Sequence, residues 1–177
     1  MVIRPALLAD AQDLAILGRR LWRETYLGLI PTSNIELHLA ETFGLPQQTA
    51  ELLDPANTTL AMDQGGGLMG YALLRACGPE MANDACRFGH PLEVARFYVD
   101  KDLHGTGAAH DLMAGVLAHA TSAGHDGVWL QVWEQNPRAI RFYAKAGFLD
   151  AGDANFRIGE QVDRDRLLVH TLLARSL

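Results

Sequence analysis

The residues best placed to do chemistry lie between Leu92 and Ala123. An apolar, β-branched and aromatic run (Val94, Phe97, Tyr98, Val99) predicts a strand. A short polar turn, Asp100 to His104, follows, and then a glycine-punctuated loop, Gly105-Thr106-Gly107-Ala108-Ala109. Beyond it apolar residues recur at Leu112, Met113, Val116, Leu117 and Ala120, the spacing of a helix face. Strand, glycine loop and helix in that order aim backbone N–H groups and the positive end of a helix dipole at one spot, where an anion such as phosphate is stabilised. Taken alone, the glycine spacing also fits a plain tight turn. A dinucleotide fingerprint needs a third glycine and an acid at the end of the next strand. Here the third position is His110, and Asp126 precedes the next strand. A phosphate loop of the G-x-x-x-x-G-K type needs a Gly-Lys pair, and the chain contains none.

A third pattern fits. His104-Gly105-Thr106-Gly107-Ala108-Ala109 resembles the R/Q-x-x-G-x-G/A pyrophosphate loop of the GNAT superfamily of N-acetyltransferases. Downstream, Val128 to Phe148 resembles that family's second signature, a strand followed by N-x-x-A-x-x-F-Y-x-x-x-G-F, here Asn136, Ala139, Phe142, Tyr143, Gly147 and Phe148. The two motifs stand in the family's order and separation, and the likeness is sharp from about Glu93 to Leu149. One departure is His104, where Arg or Gln is usual. Because the loop binds mainly through backbone groups, this bears on affinity more than on membership.

The resemblance implies a fold, a co-substrate and roles. The fold is mixed α/β, a mostly antiparallel twisted sheet of about seven strands flanked by helices, with residues 1–177 as one acetyltransferase domain. The co-substrate is acetyl-CoA, held by His104 to Ala109, by Asn136 and by backbone groups of Phe97, Tyr98 and Val99. In the family that strand splays from its neighbour and pairs with the pantetheine amides, with a backbone N–H near Val99 as oxyanion donor. Tyr143 is then the acid for the leaving thiolate, and Glu93 a base acting through water. Acyl transfer from a thioester to an amine has these needs: a deprotonated amine, an oxyanion donor and an acid for the thiolate. The segment after the first helix borders the acceptor pocket in the family, which makes Tyr26 and Glu24 substrate-binding candidates. The closing FRIGEQ…RDRLLVHTL is faintly similar to the tail of polyamine-type and related small-amine acetyltransferases, with Asp165 at the acidic position and Leu168 where Met is usual. The expected acceptor is therefore a small primary amine. A protein N-terminus or lysine, and a sensor that binds acyl-CoA without turnover, are the alternatives. The family also admits a homodimer.

Val2 to Arg4 predicts a first strand stopped by Pro5. A helix follows, with Asp10 as N-cap and Leu14, Leu17, Leu21 and Trp22 on its apolar face. It ends near Gly28. Trp22, Tyr26, Leu27, Leu29 and Ile30 form an apolar corner that suits packing against the sheet or a substrate wall. Asn34 to Phe43, capped by Ser33 or Asn34, and Pro46 to Leu53 predict two more helices. Thr58 to Met62 and Leu68 to Arg75 predict a hairpin about Asp63 to Gly67, with Gly70 a candidate bulge. Cys77 to Pro91, with Glu80 and Asp84, predicts a long loop. Gly127 to Trp133 predicts a central strand, apolar on both faces. Asn136-Pro137 starts a helix that Gly147 closes. Phe148 to Ala151 and Leu167 to Leu173 predict a final pair around a polar turn containing Gly159.

The bulk numbers are those of an ordinary globular chain. Of 177 residues, 49% are hydrophobic and 20% charged. The net charge is 15 − 21 = −6, without a basic run, which argues against nucleic acid as a partner. No apolar stretch approaches the ~20 residues that span a bilayer, and the opening MVIRPALLADAQDL lacks a signal-like apolar core. Cys77 and Cys86 sit in no metal-like pair and are expected to be reduced, in the cytoplasm. The seven histidines (His38, His90, His104, His110, His119, His125 and His170) include no i, i+4 pair, so no metal site is expected. There is no G-x-S-x-G elbow.

Overall fold

The strand at the head of the glycine loop lies in the middle of the sheet, and the rest of the fold is arranged on its two faces. The computed structural model describes residues 1–76, 88–158 and 161–172. The strands are β1 (Val2–Pro5), β2 (Asn57–Asp63), β3 (Leu68–Ala76), β4 (Pro91–Val99), β5 (Gly127–Trp133), β6 (Leu149–Ile158) and β7 (Gln161–Thr171). The helices are α1 (Ala11–Tyr26), α2 (Thr32–Thr42), α3 (Leu45–Leu53), α4 (Ala108–Ser122) and α5 (Pro137–Lys145). Among the described residues the strands form one sheet in the order β1-β2-β3-β4-β5-β7-β6. Neighbours are antiparallel except β4 and β5, which α4 joins as a parallel crossover. This is the mixed, mostly antiparallel sheet expected.

One face carries α4 and α5. Leu92 and Val94 of β4 and Val128, Leu130 and Val132 of β5 pack there with Leu112, Met113 and Val116 of α4. Full burial of each large aliphatic contributes about 1.5–3 kcal/mol. The other face carries α1 to α3. Leu14, Leu17 and Leu21 cover Tyr71, and Trp22 joins Ile35, Leu39 and Phe43. A charge pair sits within this second layer. Arg96 of β4 makes two hydrogen bonds to Glu51 of α3, at 2.6 and 2.8 Å, with both groups buried. The Arg96 guanidinium also lies 4.9 Å from the centroid of Phe43.

Several expectations need correction. Asp10 does not cap α1 with its side chain. A short 3-10 turn, Leu8–Asp10, precedes the helix, and the Asp10 carboxylate accepts from Leu7 N–H and Arg4. The α2 cap position is Pro31, so neither Ser33 nor Asn34 serves. In the apolar corner Trp22 and Ile30 are buried, but Leu27 and Leu29 are exposed, because helix α1 has already ended at Tyr26. The last two strands run much further than their apolar ends suggested. Their polar halves are held by ladder pairing and by Arg166 to Asp150 and Arg164 to Asp153 across the strands, a stabilisation hydropathy cannot reveal. The expected loop residues Cys77, Glu80, Asp84 and Cys86, and Gly159, fall outside the described residues.

Gly18, in the middle of α1, sets how closely the helix approaches the sheet. A Cβ there would lie 2.5 Å from the Phe43 ring and 2.7 Å from the Tyr71 hydroxyl. Helix propensity alone favours alanine by about 1 kcal/mol, but the overpacking term is about 1–3 kcal/mol of opposite sign. Gly18→Ala is therefore expected to lower unfolding free energy by chemical denaturation. A rise would show that α1 is free to shift outward.

Candidate active site

The site begins with a gap in the sheet. β4 is in register with β5 only at Pro91, Leu92 and Glu93, opposite Gly127, Val128 and Trp129. From Val94 to Val99 it stays paired with β3 but no longer with β5, while β5 continues beside β7 to Trp133. The register with β3 slips between Leu73 and Leu74, leaving Ala95 as an extra residue in β4. Such a bulge bends and twists a strand, and here it marks where β4 parts from β5. Backbone groups of Phe97, Tyr98 and Val99 therefore lie along an open strand edge, able to hydrogen-bond an extended amide ligand as an added strand would.

The bulge also sets which side chains face which way. Leu92 and Val94 point into the α4 layer, and so do Phe97 and Val99 beyond the bulge. Glu93, Arg96 and Tyr98 take the other face. Phe97 packs on Phe142 and Tyr143 of α5, with ring centroids 5.5 and 6.1 Å apart. Tyr98 packs on Phe43 and Tyr71. Tyr143 is only 8% exposed, and burial pushes its phenol well above its ordinary value, so it stays protonated. Burial likewise pushes Tyr98 up to about 12. Glu93 stands 3.8 Å from Arg75, which is 3.7 Å from Glu51. Tyr143, beside Phe97, and Glu93, at the last paired residue before the open edge, thus lie on opposite faces of the sheet.

At the far end of β4 the chain makes the predicted glycine loop. Gly105 and Gly107 have φ of +80° and +93°, and a Cβ at either would meet nothing within 4 Å, so the loop surface is open. Glycine is favoured by the conformation and leaves room for a ligand. Thr106 Oγ1 donates to the Leu103 carbonyl at 2.8 Å, bracing the turn. Ala108 starts α4 with Gly107 as its cap, and Ala109 follows in a first turn whose N–H groups have no intrahelical acceptor. Asn136 Oδ1 accepts from Ala139 N–H at 3.1 Å, so this residue caps α5 as its position predicted. The helix closes on Gly147 (φ +90°), with Phe148 N–H donating to the Tyr143 carbonyl at 3.0 Å.

On the α1 side, Tyr26 reaches across to Trp133, ring centroids 5.8 Å apart. Trp22 stacks behind it at 4.4 Å and on His38 at 4.4 Å. The structure therefore brings Tyr26 to the mouth of the gap. Glu24 goes elsewhere: it lies 3.4 Å from Lys101 and 3.6 Å from Arg20, tying α1 to the turn after β4. Trp133 is in register with Asp165 of β7, a buried acid. Trp133 was not singled out in the sequence, nor was the Arg96–Glu51 pair. A lone arginine inside the apolar run LEVARFYV was the available signal for the latter. Among the described residues no cluster of three His, Cys, Asp or Glu could hold a metal ion, and no helix is long and apolar enough to cross a membrane.

An open strand edge beside a glycine loop at a helix N-terminus is a place for a long ligand with amides at one end and phosphates at the other. The chain belongs to the GNAT acetyltransferase family, whose model matches residues 19–148. Two N-acetyltransferases described as uncharacterized, from Mycobacterium bovis and Mycobacterium tuberculosis, are each 33% identical over 170 residues, 94% of this chain and 100% of theirs. Among solved structures, the PaiA N-acetyltransferase of Thermoplasma acidophilum, in complex with coenzyme A, superposes with a TM-score of 0.77 at 19% identity, covering 97% of this chain and 98% of that one. The chain is thus an N-acetyltransferase with acetyl-CoA as co-substrate. Its loop and open edge suit that donor.

His38 gives this region a pH signature. Burial, aided by the Arg96 charge, lowers its pKa from 6.5 to about 4. Below pH 6.5 the unfolded chain takes up a proton that the folded site resists, so stability falls as pH drops from 6.5 to about 4. Discounted for partial exposure, the effect is about 1 kcal/mol. His38→Phe is expected to remove it: melting temperatures of variant and parent should run parallel above pH 7 and converge, or cross, towards pH 4.5. An unchanging difference would mean that His38 titrates normally.

Proposed function

We propose that this acetyltransferase transfers the acetyl group to a primary amine of a small molecule, polyamine-like in carrying a second cationic nitrogen, by direct attack in a ternary complex. The observation that carries the reading is that Tyr143 and Glu93 lie on opposite faces of the sheet, Tyr143 beside Phe97 of the unpaired stretch and Glu93 at the last residue of β4 paired with β5. The donor arm would lie along that edge with its sulfur on the Tyr143 side. The amine would come from the face of Glu93, past Tyr26 and Trp133. Glu93, through water, takes the proton that the ammonium must lose. The amine nitrogen bonds to the thioester carbonyl carbon, and a backbone N–H near Val99 donates to the oxygen as it becomes negative. The C–S bond then breaks. The neutral Tyr143 phenol donates to the thiolate and gives it a proton, while the second proton of the attacking nitrogen, lost as the amide forms, returns through water to the phenol; CoA leaves as the free thiol and the acceptor as an amide. Asn136, with its Oδ1 used as a cap, has its NH₂ left to meet the donor arm.

The acceptor class is supported by the aromatic walls and by Asp165 beside Trp133, since aromatic faces and a carboxylate both stabilise a cation. The likeness of the tail to small-amine acetyltransferases points the same way. The reading treats residues 1–177 as one domain, in keeping with a sheet whose strands run from residue 2 to residue 171, and sets it in the cytoplasm, with its acyl donor.

Release of free thiol from acetyl-CoA across a panel of mono-amines, di-amines and lysine or N-terminal peptides tests the acceptor. Di-amines are expected to turn over best, and preference for peptides would replace this reading with a protein-directed one. Tyr143→Phe should lower kcat by about 10²-fold while leaving acetyl-CoA affinity within about twofold. Acetyl-CoA binding without turnover of any amine, and no response to Tyr143→Phe, would identify a sensor instead.

A further inference from the structure

The loop that receives the donor's phosphates begins with His104 where an Arg or Gln is usual, and the structure shows what stands beside it. Arg138, second residue of α5, places its NH1 2.9 Å from His104 Nδ1. The same NH1 is 3.5 Å from Nε2, so the guanidinium lies against the imidazole ring. An imidazole carries no negative charge, so this partner leaves the guanidinium's charge uncompensated. Other cations near this end of β4 have acidic partners: Lys101 is 3.4 Å from Glu24, and Arg20 is bound to Asp100. The contact also draws together two helix N-termini, α4 behind the loop and α5 behind Asn136. Both dipoles present their positive ends here, and the two helices touch again through His110 and Phe142, centroids 5.3 Å apart.

We infer that Arg138, positioned by His104, is the cation that binds the pyrophosphate of acetyl-CoA. The inference rests on acetyl-CoA as the donor and is independent of which amine is acetylated. One N–H of the guanidinium faces His104. The others remain to form charge-assisted, two-pronged contacts with phosphate oxygens that the loop N–H groups already orient. His104 acts on the guanidinium and is a positioning residue. Asn136 and Pro137 fix the start of α5, so Arg138 sits in its first turn, level with the loop. In sequence the loop and this arginine are 34 residues apart, and only the fold makes them one site.

Calorimetric titration of the full chain with three ligands tests this. CoA carries a pyrophosphate and a 3′-phosphate, dephospho-CoA keeps only the pyrophosphate, and acetyl-pantetheine has neither. Arg138→Met is expected to weaken CoA and dephospho-CoA alike, by about tenfold or more, and to flatten the salt dependence of both. Turnover of acetyl-pantetheine should stay unchanged. Arg138→Lys should recover part of the loss, and His104→Ala should cause a smaller one. Lys145→Met, which removes the same charge at the far end of α5, should change affinity less than twofold. The inference falls if Arg138→Met leaves CoA affinity intact. It falls too if only CoA is weakened, which would assign the guanidinium to the 3′-phosphate. An equal loss with acetyl-pantetheine or with Lys145→Met would reduce the effect to folding or to general charge.

Discussion

The fold turns on one backbone constraint: β4 is an interior strand with one edge unpaired along two thirds of its length. Buried N–H and C=O groups without partners cost free energy, so a sheet normally closes over such an edge. Here the pairing of β4 with β5 stops after Glu93. The layers on either face hold the strands in place without filling the gap. β4 remains anchored to β3 along its length, β5 is anchored to β7, and α4 ties the two strands together beneath. The gap persists because each of its walls is braced from behind. A ligand bearing amides can then supply the missing pairing, and binding and structural satisfaction become the same event.

The same gap gives the site two sides with different chemistry. The α4 and α5 face holds Tyr143 among Phe97, Phe142 and Phe148, an apolar surround that keeps the phenol neutral. The α1 face holds Glu93, Arg75, Glu51 and Arg96, a charged relay with the aromatic corner of Trp22, Tyr26 and Trp133 at its edge. In the proposed mechanism, separating the proton acceptor from the proton donor by the thickness of a sheet keeps them from neutralising each other. In that mechanism it also orders the ternary complex, with donor and amine meeting across the strand.

Much of this was legible in the sequence, and the reasons are local. The glycine loop, the Asn136-Pro137 start and the Gly147 stop are short-range signals. The structure realises each, because turns and caps depend on residues within a few positions. Gly127 to Trp133 was found to the residue because both its faces are apolar. The bulge at Ala95 left no mark on LEVARFYV. Simple alternation would put Phe97 on the same face as Glu93, and the slipped register puts it opposite. Long-range pairings were equally silent: Arg138 meets His104, Tyr26 meets Trp133, and Arg96 meets Glu51 only through tertiary packing. Glu24 shows the converse, since its place near the acceptor followed from family likeness and its ion pairs turn it toward Lys101.

Backbone amide hydrogen exchange across β4, with and without saturating acetyl-CoA, tests the central claim most directly. If the donor arm completes the open edge, amides between Val94 and Val99 that face β5 should slow by at least about tenfold, while those of β3 paired on the other side change little. Binding of acetyl-CoA with exchange along β4 unaltered, and protection gained elsewhere, would contradict the account.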